Sequence, residues 1–232
     1  MKRRFDWILF DADGTLLDYN AAESHSLAES AGSFGVELSP GMHQAYRDIN
    51  SALWRQFELG QVSSEELRVR RFTELAALFG WEMSGSEFSD AYLSALTRSG
   101  HMMDGAREML DSLPGDYRLA VITNGIRDVQ YGRLRVAGIL DKFEYVIISE
   151  DAGAAKPSPD FFDYMCRVIG ETRQDRMLVV GDSVSSDIAG GVGYGIPSVW
   201  FNPESIPNRS AVQPDWEIRD WDGLDLILSG TP

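Results

Sequence analysis

Five short apolar runs punctuate the chain: Trp7–Phe10, Leu119–Thr123, Tyr145–Ser149, Met177–Gly181 and Ser198–Phe201. They are rich in Val, Ile and Leu and nearly continuous rather than alternating. That pattern predicts strands buried on both faces, as in a parallel sheet. Between them lie helical patterns at Arg127–Ala137, Pro159–Ile169 and Ser186–Tyr194. Strand–helix alternation of this kind predicts a doubly wound α/β core. A sixth, weaker strand is expected at Trp216–Ile218. The stretch from Leu16 to Gly100 has another character: no strand signal and several helical ones. Ser63 with Glu66 and Ser84 with Glu87 read as capping boxes opening helices Ser64–Phe79 and Ser86–Arg98. Pro40 suits the first turn of a helix towards Phe57. The expected fold is therefore a doubly wound parallel-sheet core, residues 1–15 and 101–232, with an all-helical module, residues 16–100, inserted in its first crossover. Asn202–Pro214, with its prolines, reads as a surface loop.

Composition narrows the field. The chain has 232 residues with 36 Asp+Glu against 21 Lys+Arg, a formal charge of −15. Such a surface repels polyphosphate, so a nucleic-acid polymer is a poor partner. A small anion in a locally positive pocket remains compatible with it. The single cysteine, Cys166, excludes an intrachain disulfide and a multi-cysteine metal site; it reads as a buried thiol. No apolar run approaches the ~18 residues of a membrane span. The apolar run behind the basic Lys2–Arg4 lead-in stops at Asp11, too short for an export signal. A cytoplasmic protein is expected, monomeric or dimeric. His25, His43 and His101 have no metal-ligand spacing and read as surface or packing residues.

Three strands end in polar residues at the same relative point. The first runs into Asp11-Ala12-Asp13-Gly14-Thr15, the second ends in Thr123-Asn124-Gly125, and the fourth in Gly181-Asp182-Ser183 with Asp187 close behind. The carboxyl ends of parallel strands share one edge, where ligands bind. Asp11, Asp13, Thr123, Asn124, Asp182 and Asp187 should converge there. So many carboxylates repel one another, and a hard divalent cation such as Mg²⁺ relieves that repulsion. Lys156, in the loop after the third strand, can add a compact positive charge. A nucleophilic carboxylate, a cation, a lysine and hydroxyl or amide donors together suit phosphoryl transfer through an aspartyl-phosphate. Gly190-Gly191-x-Gly193-x-Gly195 follows a helix start instead of linking strand to helix, so a dinucleotide reading is rejected; these glycines read as allowing close helix packing.

Asp11-x-Asp13-Gly14-Thr15-Leu16-Leu17-Asp18, Thr123-Asn124-Gly125, Lys156-Pro157 and Gly181-Asp182-Ser183-x-x-x-Asp187 resemble, in order, the four motifs of the haloacid dehalogenase superfamily. The resemblance spans essentially the whole chain, helical cap included. It implies Asp11 as nucleophile and Mg²⁺ ligand, and Asp13 as general acid/base that also binds the ion through its backbone carbonyl. It implies Thr123, Asn124 and Lys156 around the phosphoryl group, and Asp182 and Asp187 at the ion. A phosphatase must protonate an alkoxide, whereas halide release needs no proton. The carboxyl at Asp13 therefore favours phosphomonoester hydrolysis over dehalogenation.

Within that superfamily the cap contacts the leaving group, and Tyr19, Trp54, Phe57 and Arg71 are its candidate specificity residues. Arg55, Arg70 and Phe72 lie near them in sequence. The segments Leu53-Trp54-Arg55-x-Phe57-Glu58-x-Gly60-x-Val62 and Glu66-Leu67-x-x-x-Arg71-Phe72 look like the cap of bacterial pyrimidine 5′-nucleotidases. That branch implies a nucleoside 5′-monophosphate, a small phosphorylated metabolite, as substrate. Sugar-phosphate or phosphoglycolate hydrolysis, a phosphomutase, a dehalogenase and a non-enzymatic binding module are the rival readings. The plainer alternatives for the cap residues are that Trp54, Phe57 and Phe72 form a packed core and that Arg70 and Arg71 form an exposed basic turn.

Overall fold

A computed structural model describes residues 4–113, 115 and 117–230; Lys2 and Arg3 of the basic lead-in lie outside the described residues. The chain separates into two compact units, residues 1–18 with 101–232 and residues 19–100.

The first unit is an α/β domain. Its strands are β1 (Trp7–Phe10), β2 (Arg118–Thr123), β3 (Tyr145–Ile148), β4 (Met177–Gly181), β5 (Ser198–Phe201) and β6 (Trp216–Ile218). All pair in parallel, in the order β3-β2-β1-β4-β5-β6. Alternation along β1 splits the core between the two faces. Ile8 and Phe10 join Val121, Leu178, Val180, Met109, Leu134 and Leu224 on one side. Trp7 and Leu9 join Ile122, Val179, Phe161, Phe162 and Met165 on the other. Leu16 and Leu17 belong to the first of these clusters. The break between units therefore falls after Asp18, three residues beyond the boundary placed at residue 15 from the sequence.

The helical unit, residues 19–100, holds α1 (Tyr19–Ser33), α2 (Pro40–Glu58), α3 (Ser64–Phe79) and α4 (Gly85–Thr97). Ser39, Ser63 and Ser84 each accept a backbone N–H at the start of a helix, and at Ser84 the Glu87 carboxylate answers to complete the box. That helix starts one residue earlier than expected, at Gly85. A Cβ at Gly85 would meet Thr73 Oγ1 at 2.1 Å, so its bare Cα lets α4 approach α3. Tyr46, Phe72, Phe88 and Tyr92 pack together with ring centroids 5.0–5.8 Å apart, Tyr46 stacked on Phe72 and the other pairs tilted.

The α/β unit continues with α5 (Ala106–Ser112), α6 (Arg127–Val136), α7 (Ser149–Ala152), α8 (Pro159–Ile169), α9 (Ala189–Tyr194) and α10 (Trp221–Ser229). Ser149 opens α7 instead of closing β3. The helix expected at Ser186–Tyr194 is a turn of π-helix, Val184–Ile188, running into α9. Gly190 lets Phe162 come close, since a Cβ there would sit 2.6 Å from its ring, and Gly195 ends α9 in the left-handed conformation. Among the described residues no helix is long and apolar enough to cross a membrane.

Candidate active site

Strand register brings the scattered motifs together. Phe10 pairs with Val121 on one side and Val180 on the other. Asp11, Thr123 and Asp182 therefore lie together at the carboxyl-terminal edge of the sheet, Thr123 as the last residue of β2 and the two aspartates just past β1 and β4. The strand order reverses between β1 and β4, the crevice where open α/β sheets bind ligands. Asp11 stays in the ladder, donating its backbone N–H to Val180 at 2.9 Å. Gly14, at φ 85°, then turns the chain, and a Cβ on it would fall 2.4 Å from Asp182 Oδ2.

Lys156 lies at the centre. Its Nζ donates to Asp11 Oδ1 at 2.6 Å, Asp187 Oδ1 at 2.7 Å and the Ile122 carbonyl at 2.6 Å, and the side chain is 1% exposed. Asp187 is fixed on its other side by the Ser183 N–H at 3.0 Å. Gly181 leaves room for it: a Cβ there would lie 2.3 Å from Asp187 Oδ2. Asp11, Asp182 and Asp187 each offer an oxygen within 4.8 Å of the others. Burial pushes the Asp11 carboxyl up to about 7; Lys156 opposes that shift and Asp187 reinforces it. Burial likewise raises Asp182 well above the ordinary carboxyl range, with Asp11 and Asp187 adding to it. For Lys156 burial works against the charged form, yet the two carboxylates outweigh it and raise the ammonium.

Three carboxylates face one ammonium, so the cluster carries surplus negative charge in a desolvated place. An all-oxygen donor set of this kind fits a hard divalent cation.

The other motif residues are placed as follows. Thr123 is buried, and its Oγ accepts from Gly125 N at 3.0 Å and Gln130 Nε2 at 3.3 Å. With both lone pairs engaged, its O–H proton is left to donate elsewhere. The Asn124 amide grips the Lys156 backbone at both ends, Nδ2 to the carbonyl at 2.9 Å and Oδ1 from the N–H at 2.8 Å, so the side chain braces the lysine loop. The Asp13 carboxylate receives Gln130 Nε2 at 2.6 Å and a guanidinium N–H of Arg133. Neither Gln130 nor Arg133 is singled out by the sequence motifs. The available signal is positional: both fall on the buried face of α6 beside Val129 and Leu134.

The helical unit's candidates fall into two groups. Arg71 is buried, which removes the exposed-turn reading, while Arg70 pairs with Glu66 and Glu74 at its more open surface. Arg71 donates to Asn50 Oδ1 at 3.0 Å, and Asn50 donates to Tyr19 Oη at 3.3 Å and Glu23 Oε2 at 3.4 Å. Tyr19 also meets Tyr92 Oη at 3.3 Å. Trp54 and Phe57 instead pack edge to face at 5.5 Å against Leu53, Val62 and Leu67.

Comparison with known proteins identifies the family. A profile of the haloacid dehalogenase-like hydrolases matches residues 8–201. The chain belongs to that family. It is 36% identical to the pyrimidine 5′-nucleotidase PynA of Streptococcus pneumoniae, over 95% of this chain and 93% of that one. It is 30% identical to the pyrimidine 5′-nucleotidase YjjG of Escherichia coli, over 97% and 98%. A crystal structure of the Bacillus subtilis HAD-hydrolase-type protein YfnB, bound to magnesium, superposes with a TM-score of 0.91 at 34% identity, covering 97% of this chain and 99% of that one.

Proposed function

We propose that the protein is a Mg²⁺-dependent phosphomonoesterase acting through an aspartyl-phosphate, with a pyrimidine nucleoside 5′-monophosphate as its substrate. The observation that carries the chemistry is the meeting of Asp11, Asp182 and Asp187, with Asp11 and Asp187 both on the buried Lys156 Nζ. The near full-length similarity to two pyrimidine 5′-nucleotidases supports the substrate class.

Asp11 attacks phosphorus while the Thr123 hydroxyl holds a phosphoryl oxygen and the Lys156 ammonium, its three N–H groups on Asp11, Asp187 and the Ile122 carbonyl, offsets the phosphoryl charge. Asp13 gives a proton to the departing oxygen, then takes one from the water that hydrolyses the aspartyl-phosphate. Asp11, Asp182 and the Asp13 carbonyl, with Asp187 beside them, would hold the ion, which would supply positive charge to offset the approach of a carboxylate to a phosphate. Asp187 has both oxygens committed to protein donors, Lys156 on one and Ser183 on the other; its part is to hold the lysine and complete the negative ring. Residues 19–100 supply recognition of the leaving group, with Arg71 and Tyr19, joined through Asn50, the leading candidates.

The test is phosphate release from a panel of pyrimidine and purine monophosphates, sugar phosphates and phosphoglycolate, with and without Mg²⁺, using Asp11→Asn as blank. Metal-dependent release favouring pyrimidine nucleotides is expected. Release from sugar phosphates alone would overturn the substrate class and keep the chemistry. No release from any would overturn both.

A further inference from the structure

We propose that Gln130 and Arg133 are positioning residues for Asp13, holding its carboxyl in the orientation from which it exchanges protons with the leaving group and with water. The proposal rests on the phosphatase reading above and concerns residues outside its four motifs.

The two side chains stand three residues apart on α6, hence on one face of the helix. Each takes one oxygen of the same carboxyl: Gln130 Nε2 reaches Asp13 Oδ2 at 2.6 Å, and Arg133 holds Oδ1. Two donors on two oxygens fix both the position and the rotation of the group, which a single bond would leave free. The Gln130 amide does more, since it also reaches Thr123 Oγ at 3.3 Å. One side chain thus ties the hydroxyl that holds the phosphoryl group to the carboxyl that moves the proton. The backbone is cleared for it: a Cβ at Gly125 would lie 2.1 Å from Gln130 Nε2.

The placement is costly if it serves packing alone. Arg133 is 0% exposed and Gln130 1% exposed, on a helix face that otherwise buries Val129 and Leu134. Burying a guanidinium costs more than burying an apolar side chain of like volume. The carboxyl it serves is itself partly open, with 28% of its side chain exposed. The desolvated partners therefore stand behind an accessible acid, as a support does behind a reacting group.

The chemistry defines the readout. In the first step the bond from the Asp11 oxygen to phosphorus forms, the bond to the leaving oxygen breaks, and the Asp13 proton passes to that oxygen. In the second, water supplies the oxygen that displaces Asp11, and its proton returns to Asp13. An alkyl phosphate needs the first proton, because an alkoxide leaves poorly; p-nitrophenyl phosphate does not. The parameter kcat/KM reports only steps through the first irreversible one, so it isolates that proton transfer.

The experiment compares kcat/KM on p-nitrophenyl phosphate and on the alkyl phosphate of the panel cleaved fastest, for wild type, Gln130→Met, Arg133→Met, Arg133→Lys and Asp13→Asn. Positioned general acids contribute roughly 10²–10⁴-fold. Gln130→Met and Arg133→Met are expected to lose at least about tenfold on the alkyl ester and under about threefold on the aryl ester, as a part of that effect. Arg133→Lys should recover part of the loss. Adding Gln130→Met to Asp13→Asn should cost under about threefold, the part owed to its bond with Thr123, the mark of a residue acting mainly through Asp13. Equal losses on both esters, or full additivity with Asp13→Asn, would overturn the proposal. Should Arg133→Met fail to fold, Gln130→Met and the double variant decide the matter. Wild-type protein inactive on both esters would instead overturn the phosphatase reading, and the positioning role with it.

Discussion

Lys156 and Asp11, 145 residues apart in the chain, meet as a buried ion pair with Nζ 2.6 Å from Oδ1. The lysine is shared with Asp187 at 2.7 Å, so one ammonium holds two carboxylates in place. Removing it leaves both buried and facing each other. Breaking a buried pair by deleting one partner costs about 3–5 kcal/mol. Lys156→Met should therefore lower stability by that order in urea denaturation with a chelator present, and Mg²⁺ should restore part of it. A change below about 1 kcal/mol would mean that water reaches these carboxylates freely.

Asp11→Asn keeps the shape of the side chain and removes the nucleophile. Turnover should fall by about 10³-fold or more, as deletion of other enzyme nucleophiles does. Loss of one charge should at the same time relieve the crowding with Asp182 and Asp187, so the melting temperature should hold or rise. A variant retaining a tenth of wild-type activity would exclude the covalent route.

The raised carboxyl of Asp11 gives metal-free protein a pH signature. Its folded value of about 7 lies above the ordinary 3.8, chiefly because of burial. Between those values the folded state binds the proton and the unfolded state does not, so this group's contribution to stability falls as pH rises through that window. Denaturation in a chelator should show this decline between pH 5 and about pH 7, the upper limit set by the folded value, and Asp11→Asn should lack that component. On the proposed function Mg²⁺ would bind the ionised cluster, so its affinity should climb over the same range, with proton release visible by calorimetry in two buffers. A pH-independent affinity would separate the ion from these carboxylates.

Gly14 couples the first motif to Asp182. An alanine there must adopt φ 85° and place its Cβ 2.4 Å from Asp182 Oδ2, so the carboxylate has to move. Gly14→Ala should weaken Mg²⁺ binding by about 10–100-fold, the size seen when groups supporting a metal ligand are altered. Titration calorimetry would measure it. An unchanged affinity would place the ion away from Asp182.

Much of this was legible in sequence because it depends on local signals. Apolar runs ending in Asp11, Thr123 and Asp182 mark strands whose carboxyl ends carry chemistry, and Ser84 with Glu87 marks a helix start. What stayed hidden depends on three-dimensional closeness. Polar residues on a helix read by default as solvated, and nothing local shows that Gln130 and Arg133 face inward; the bare Cα of Gly125 and the apolar anchors Val129 and Leu134 decide that. No spacing shows the Asn124 amide closing on the Lys156 backbone. Helix α1 carries little apolar pattern since it buries Ser26 and Ser30 beside Ala22 and Leu27. Arg71 was ambiguous beside Arg70 until the neighbouring helices placed one inside and left the other with Glu66 and Glu74.

That division sets apart the roles within the helical unit. Trp54 and Phe57 spend their contact area on each other and on Leu53, Val62 and Leu67. Trp54→Ala should therefore lower stability by about 0.5–3 kcal/mol, the usual range for a single substitution, and leave the ranking of substrates intact. Arg71 carries a positive charge inside a polar chain with Asn50, Tyr19 and Glu23. Arg71→Lys keeps the charge but loses the planar fork, so it should alter the preference among nucleotides more than Trp54→Ala does. Measuring kcat/KM for uridine, cytidine and adenosine monophosphates on both variants checks this. A preference altered by Trp54→Ala and untouched by Arg71→Lys would reverse the assignment and return substrate recognition to the aromatic pair.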